Sequence, residues 1–157
     1  MPRGDSLDIS RVSDRLAIGA APRSVSAVSD LVDLEFRHVI DLRAERKESD
    51  LLARGDCLMV SWVPVYDDWH PKPFEFFSTL CTEISHHVES PDGTRLFICC
   101  RAGEHRAPLG GLVALVVMGY PLDTAGELIL KARPIAELLP VYMRSFRAYL
   151  KEQGNGR

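Results

Sequence analysis

The chain has 157 residues, 46% of them hydrophobic and 26% charged, with a formal net charge of −3. That is enough for one domain with a substantial core, and the composition excludes a wholly disordered protein. The acidic balance also excludes a general nucleic-acid binder, which carries a basic surface, yet it leaves room for a small local anion site.

The opening "MPRGDSLDIS" lacks the apolar run of a signal peptide, and "LGGLVALVVMGYPL" is shorter than the roughly 20 residues that span a bilayer. Four cysteines occur in neither CxxC pairs nor metal-ligand spacing. The expectation is a soluble, cytoplasmic, monomeric protein with no metal, cofactor, membrane or nucleic-acid partner. "RLAIG" and "RHVIDL" read as strands. Between them "SVSAVSDLVDLEF" places Val25, Val28, Leu31 and Val32 at helical spacing behind Ser24, a suitable N-cap. The charged run "DLRAERKESD" reads as solvated. "CLMVSWVPV" is a strand ending near Pro64, and the prolines of "YDDWHPKP" make a loop.

From Phe74 the spacing predicts a helix with Phe74, Phe77, Leu80, Cys81, Ile84 and Val88 on one face and His86 and His87 at the surface. "SPDG" is a turn, and the wholly apolar "RLFICC" suits a central strand. "APLGGLVALVVMG" reads as a buried helix. Thr124 and Glu127 form a capping box for a further helix through Lys131. The last segment keeps Ile135, Leu138, Leu139, Tyr142, Met143, Phe146, Tyr149 and Leu150 on one face, divided by Pro140. Alternating strands and helices predict a single α/β domain whose sheet is at least partly parallel.

The chemistry concentrates in "LFICCRAGEHRAPLGG", where an apolar strand turns abruptly charged and then opens a helix. Ligands of such sheets bind beyond the carboxyl ends of the strands. Backbone N–H groups of residues 101–106 would curl around an anion at the helix N-terminus. Gly103 would relieve the curvature, and Arg106 would close the cradle with a two-pronged donor. The same field favours a thiolate at Cys100, a nucleophile suited to a phosphocysteine intermediate. Cys99 alternates to the opposite face of the strand and reads as core. A strained Cys99–Cys100 disulfide, or Cys57 or Cys81 as a resolving thiol, are the redox alternatives.

These residues carry a family resemblance. "CRAGEHRAP" resembles the Cys-x5-Arg signature of the protein tyrosine phosphatase superfamily, in particular its dual-specificity branch. "RLAIGAAP" and "HVIDLRAERKE" are similar to the family's opening strands, "VPVYDDWHPKPFEFF" to its general-acid loop and following helix, and "KARP" to a late motif. The resemblance runs from about Leu7 to Leu150 within a single domain over 1–157. It implies a three-layer fold with a central, largely parallel four- to five-stranded sheet flanked by helices.

It further implies Cys100 as nucleophile, Arg106 as phosphate clamp, and Arg101, Ala102, Gly103, Glu104, His105 and Ala107 as the substrate cradle. Asp67 or Asp68 becomes the general acid. Similarity to "WPFDDGAPP" of the phosphatases of regenerating liver selects Asp68, whereas alignment on the following helix of other dual-specificity enzymes selects Asp67. Cys99 stands where the family places His, and Ala107 where it places Ser or Thr. The regenerating-liver enzymes share that alanine in "CVAGLGRAP", which implies slow turnover.

"GEHR" also resembles "CKRGKHRTG" of enzymes acting on inositol pyrophosphates, but Glu104 replaces a lysine there and would repel a polyanion. The implied substrate is a phosphorylated protein, phosphotyrosine by default, or a small phosphate monoester. Two alternatives stand beside this reading. One is a rhodanese-like sulfurtransferase, since "CRAG" and "IDLR" occur there too. The other is a catalytically weak phosphate-binding module.

Overall fold

The apolar run Arg95–Cys100 (β5) is the middle strand of a five-stranded sheet in the computed structural model, which describes residues 6–47, 50–54, 58–91 and 93–155. The other strands are β1 (Ile9–Arg11), β2 (Leu16–Ala20), β3 (Phe36–Arg43) and β4 (Met59–Val65), in the order β1-β2-β5-β3-β4. β2, β5, β3 and β4 run parallel, and β1 is antiparallel to β2. Five helices follow in chain order: α1 (Val25–Asp33), α2 (Phe74–Glu89), α3 (Arg106–Val117), α4 (Leu122–Ala132) and α5 (Pro140–Asn155).

β5 shows no polar alternation because both of its faces are covered. Leu96, Ile98 and Cys100 enter the larger core beneath α2–α5, while Phe97 and Cys99 enter a smaller one with Leu31, Phe36 and Val39 on the α1 side. α3 lies almost on the sheet. A Cβ on Gly110 would come within 2.8 Å of Ile98 Cγ2, and one on Gly111 within 2.7 Å of Ile18 Cγ2. The two glycines therefore let the helix descend and bring its N-terminus against the end of β5. Among the described residues no helix is long and apolar enough to cross a membrane.

Several local expectations are corrected. Ser24 does cap α1, its Oγ accepting the Ala27 N–H at 3.0 Å, but Val25 is exposed and the buried stripe is Ala27 and Leu31. In α2 the packed face centres on Phe76, Phe77, Leu80, Ile84 and His87, which leaves Phe74 and Val88 partly in solvent. Thr124 caps nothing: Pro121 starts α4 early, so the threonine falls inside its first turn. Pro140 does divide the last segment, as expected, with residues 135–139 lying before the helix. It occupies the first position of α5, where a missing N–H costs nothing, and Ile135 before it is exposed.

His87 is buried rather than superficial. Its Nδ1 lies 3.2 Å from Nδ1 of buried His38, whose Nε2 lies 2.9 Å from Ser61 Oγ. Ser61 donates its hydroxyl proton to Glu83 at 2.8 Å, so His38 Nε2 is the donor to Ser61 and His38 Nδ1 accepts from His87. Burial first, and then the charge of His87, push His38 down from 6.5 to about 4.

Between these two values the unfolded chain binds a proton that the folded one refuses, so stability falls as pH drops from 6.5 toward 4. The loss from this site is up to about 3 kcal/mol. Urea unfolding at pH 7 and pH 4.5 is expected to show it, and His38→Asn, which keeps a donor toward Ser61 but cannot take the proton, is expected to flatten the slope. An unchanged slope in that variant would place the acid sensitivity elsewhere.

Candidate active site

Because β3, β4 and β5 are parallel neighbours, the loops that leave their carboxyl ends meet at one edge of the sheet. They bound a cavity of about 350 Å³. Glu45 reaches it from the loop after β3, and Tyr66, Asp67 and Asp68 from the loop after β4. The segment after β5 contributes Cys100, Arg101, Ala102, Glu104, His105 and Arg106. Gly103 and Ala107 act from behind, through their backbones. All the expected site residues are thus brought together.

Cys100 is buried, and its Sγ accepts the N–H groups of Gly103 at 3.2 Å and Ala107 at 3.3 Å. Those donors face inward because the loop's carbonyls are held outward. Arg133, from the "KARP" segment, donates Nη2 to the Ala102 carbonyl at 3.2 Å and Nε to the Gly103 carbonyl at 2.7 Å. The Glu104 carbonyl accepts the Glu137 N–H at 2.8 Å. Arg133 is itself fixed by both carboxylate oxygens of Asp8, each at 2.9 Å, and by Ser10 Oγ at 3.1 Å. Gly103 has φ +69, and a Cβ there would meet the Gly19 backbone at 2.6 Å, so both handedness and space demand glycine.

Arg106 opens α3 and is buried. Its Nη1 and Nη2 pair with the two oxygens of Glu45 at 3.0 and 2.8 Å, and Nη1 also donates to the Val65 carbonyl at 3.0 Å. Its Nε is buried without a partner among the described residues. Burial pushes the Glu45 carboxyl up, but the Arg106 hydrogen bonds outweigh this and hold it below the usual range. The guanidinium therefore stays charged and rigidly aimed.

The two aspartates occupy different settings. Asp67 Oδ2 lies 2.9 Å from His105 Nδ1, and Oδ1 accepts the Tyr142 hydroxyl at 2.7 Å. Burial works upward on its carboxyl, while His105, Tyr142 and the Arg106 charge bring it below the ordinary value. Asp68 is exposed and held by Lys72 Nζ at 2.6 Å, with its Oδ1 also accepting the His70 N–H at 3.1 Å.

Three participants carry no signal of their own in the sequence. Glu45 lies in a charged run that reads as solvated, with nothing local to single it out. Arg133 is visible only as part of a motif. Tyr142 has the core spacing it was expected to have, together with a hydroxyl that spacing says nothing about. Cys99 packs in the α1-side core as expected, where burial pushes its thiol well up, and Cys81, Cys99 and Cys100 are free, so no vicinal disulfide forms. Cys57 lies outside the described residues.

No protein-family model and no curated protein matches the chain by sequence. Solved structures do match by shape. A mouse putative dual specificity phosphatase complexed with zinc tungstate is 23% identical with a TM-score of 0.80, covering 98% of this chain and 95% of that one. Human DUSP28 is 20% identical with a TM-score of 0.78, covering 95% and 99%. PTPMT1 in complex with PI(5)P is 15% identical with a TM-score of 0.75, covering 95% and 99%. The chain therefore has the fold of the dual-specificity branch of the protein tyrosine phosphatase superfamily.

Removing Arg133 strands two loop carbonyls and frees Asp8. Arg133→Ala is expected to lower the unfolding free energy by about 2–3 kcal/mol, read as a lower urea midpoint at constant slope. Arg133→Lys is expected to recover less than half of this, since one ammonium cannot serve both carbonyls and the carboxylate. Full recovery by lysine would show that charge alone matters.

Proposed function

We propose that the protein hydrolyses phosphate monoesters through a phosphocysteine on Cys100. The observation that carries this reading is a buried sulfur accepting two backbone N–H groups in a cavity it shares with a fixed guanidinium, whose Nε has no partner among the described residues. An unpaired buried donor is costly, and a phosphoryl oxygen is the acceptor it suits. The loop N–H groups and Arg106 hold the non-bridging oxygens while the thiolate attacks phosphorus. An acid protonates the leaving oxygen, then serves as base toward water in the second step.

Asp67 is that acid in our reading. Its carboxylate rests on the phosphate loop through His105, whereas Asp68 is tied to Lys72. A neighbouring phosphate dianion would shift Asp67 toward the protonated form that the first step needs. Glu45 orients Arg106 through both of its terminal nitrogens. The likeness in fold to solved phosphatases supports the reaction class, and phosphotyrosine in proteins is the substrate we assign to it. The pairing of Glu45 with Arg106, and a carboxylate at the cavity, favour this over a sulfurtransferase, which requires no acid.

Ala107 supports slow turnover. Its N–H reaches Sγ, but its side chain offers no hydroxyl to stabilise the departing thiolate.

Hydrolysis of an aryl phosphate is expected to vanish in Cys100→Ser. Asp67→Asn is expected to lose about 100-fold in kcat/KM and the fall in rate on the basic side of the pH profile, against less than about threefold for Asp68→Asn. The reverse ranking would transfer the role to Asp68. Ala107→Ser is expected to convert a burst with slow steady state into faster steady turnover. An unchanged phosphoenzyme lifetime, followed by quenched flow, would remove the hydroxyl from the explanation.

A further inference from the structure

Asp67 touches a residue that reaches no reacting atom. Tyr142, from α5, is buried, and its oxygen accepts the backbone N–H of Trp69 at 3.1 Å. A backbone N–H can only donate, so the single phenolic proton goes to Asp67 Oδ1, at 2.7 Å. Trp69 sits at φ 62, a left-handed conformation unfavourable for a side chain of this size, and the Tyr142 oxygen holds that turn. A second tether runs beside it, from the Lys72 N–H to Ser145 Oγ on the same helix at 2.9 Å. The acid loop is thus pinned to α5 at its carboxylate and at two backbone positions.

The direction of the phenolic proton constrains the chemistry. Oδ1 is occupied by a hydroxyl that burial and the Asp67 hydrogen bond make reluctant to ionise, pushed up to about 12. We place the proton used in catalysis on Oδ2, the oxygen turned to the phosphate loop and 2.9 Å from His105 Nδ1, a contact in which that ring nitrogen accepts while the carboxyl is protonated.

We propose that Tyr142 is the positioning residue of the acid step, confining the transferable proton to Oδ2 of Asp67 and holding that oxygen against the phosphate loop. The inference rests on the phosphatase reading and on Asp67 as its acid. In the first half-reaction the Oδ2–H bond breaks as an O–H bond forms on the leaving alcohol. The P–O electron pair goes to that oxygen, and the S–P bond forms from the thiolate lone pair. In the second, a water proton passes to Oδ2 while the water oxygen bonds phosphorus and the S–P pair returns to sulfur. Without the Tyr142 hydroxyl the carboxyl group can take its proton on either oxygen, and half of those arrangements face away from the leaving group.

The test separates protonation from folding by leaving group. Phenyl phosphate needs its leaving oxygen protonated, and 2,4-dinitrophenyl phosphate does not. Tyr142→Phe is expected to lose about tenfold in kcat/KM on phenyl phosphate and less than about twofold on the dinitrophenyl ester. Equal losses on both esters, or none on either, would overturn the proposal. Should the phenylalanine variant not fold, Tyr142→Met, which also lacks the hydroxyl and packs adaptably, carries the same comparison: a selective loss on phenyl phosphate supports the proposal, and equal losses or none overturn it.

Asp67→Asn measured alongside keeps the two readings apart. A selective loss in Asp67→Asn without one in Tyr142→Phe overturns the role of Tyr142 alone. No selective loss in Asp67→Asn, or a wild type that turns over neither ester, overturns the acid assignment and this inference with it.

Discussion

The site depends on holding three consecutive carbonyls away from one sulfur. A loop between strand and helix has no reason of its own to point its N–H groups inward, and free peptide units would turn to solvent. Here the Ala102 and Gly103 carbonyls are taken by Arg133 and the Glu104 carbonyl by the backbone of residue 137. With the acceptors committed outward, the donors at Gly103 and Ala107 converge on Sγ. Glycine is the one residue type that fits at position 103, since both its φ and the nearby Gly19 backbone exclude a side chain. On the proposed phosphatase reading, an anion-binding surface is thereby built before any anion arrives, which is the preorganisation that makes electrostatic stabilisation effective.

Two further elements aim side chains into that surface. Glu45 occupies both terminal nitrogens of Arg106 and the Val65 carbonyl shares one of them, so the guanidinium has one plane and its Nε still to offer. α5 does the equivalent for the loop after β4 through Tyr142 and Ser145. Arg106 and Asp67 are thus each oriented by a partner from a different part of the chain. The fold is the reason this is possible: parallel strands deliver three loops to one edge, and the glycines of α3 let the helix sit low enough to bring its first turn beneath them.

The histidine pair at His38 and His87 is a different use of burial. It lies in the cavity bounded by Met59, Glu83 and Ser90 and shares no lining residue with the candidate active-site cavity. Its chain of donors runs through Ser61 to Glu83, and it exploits neutrality where the active site exploits charge. Burial and the neighbouring His87 both disfavour a proton on His38. That links acid sensitivity to the fold and leaves the candidate active-site residues out of it.

What the amino-acid sequence determined by itself is everything contiguous. The strand, loop and helix around Cys100 and Arg106 are consecutive, so apolar run, charged turn and small-residue helix start were all legible, as were the parallel sheet and the burial of Cys99. What only the tertiary structure decided lies far apart along the chain. Glu45 meets Arg106 across 61 positions, Tyr142 meets Asp67 across 75, and Arg133 meets Gly103 across 30. Nothing local marks one glutamate in a charged run or one tyrosine on an apolar stripe, because their roles are hydrogen bonds set by how helices dock. The same reason explains the local difference at Thr124, which falls inside the first turn of α4 because that helix begins just after Pro121. The different settings of Asp67 and Asp68 belong to this second class, since two adjacent carboxylates differ only in what the fold places opposite them.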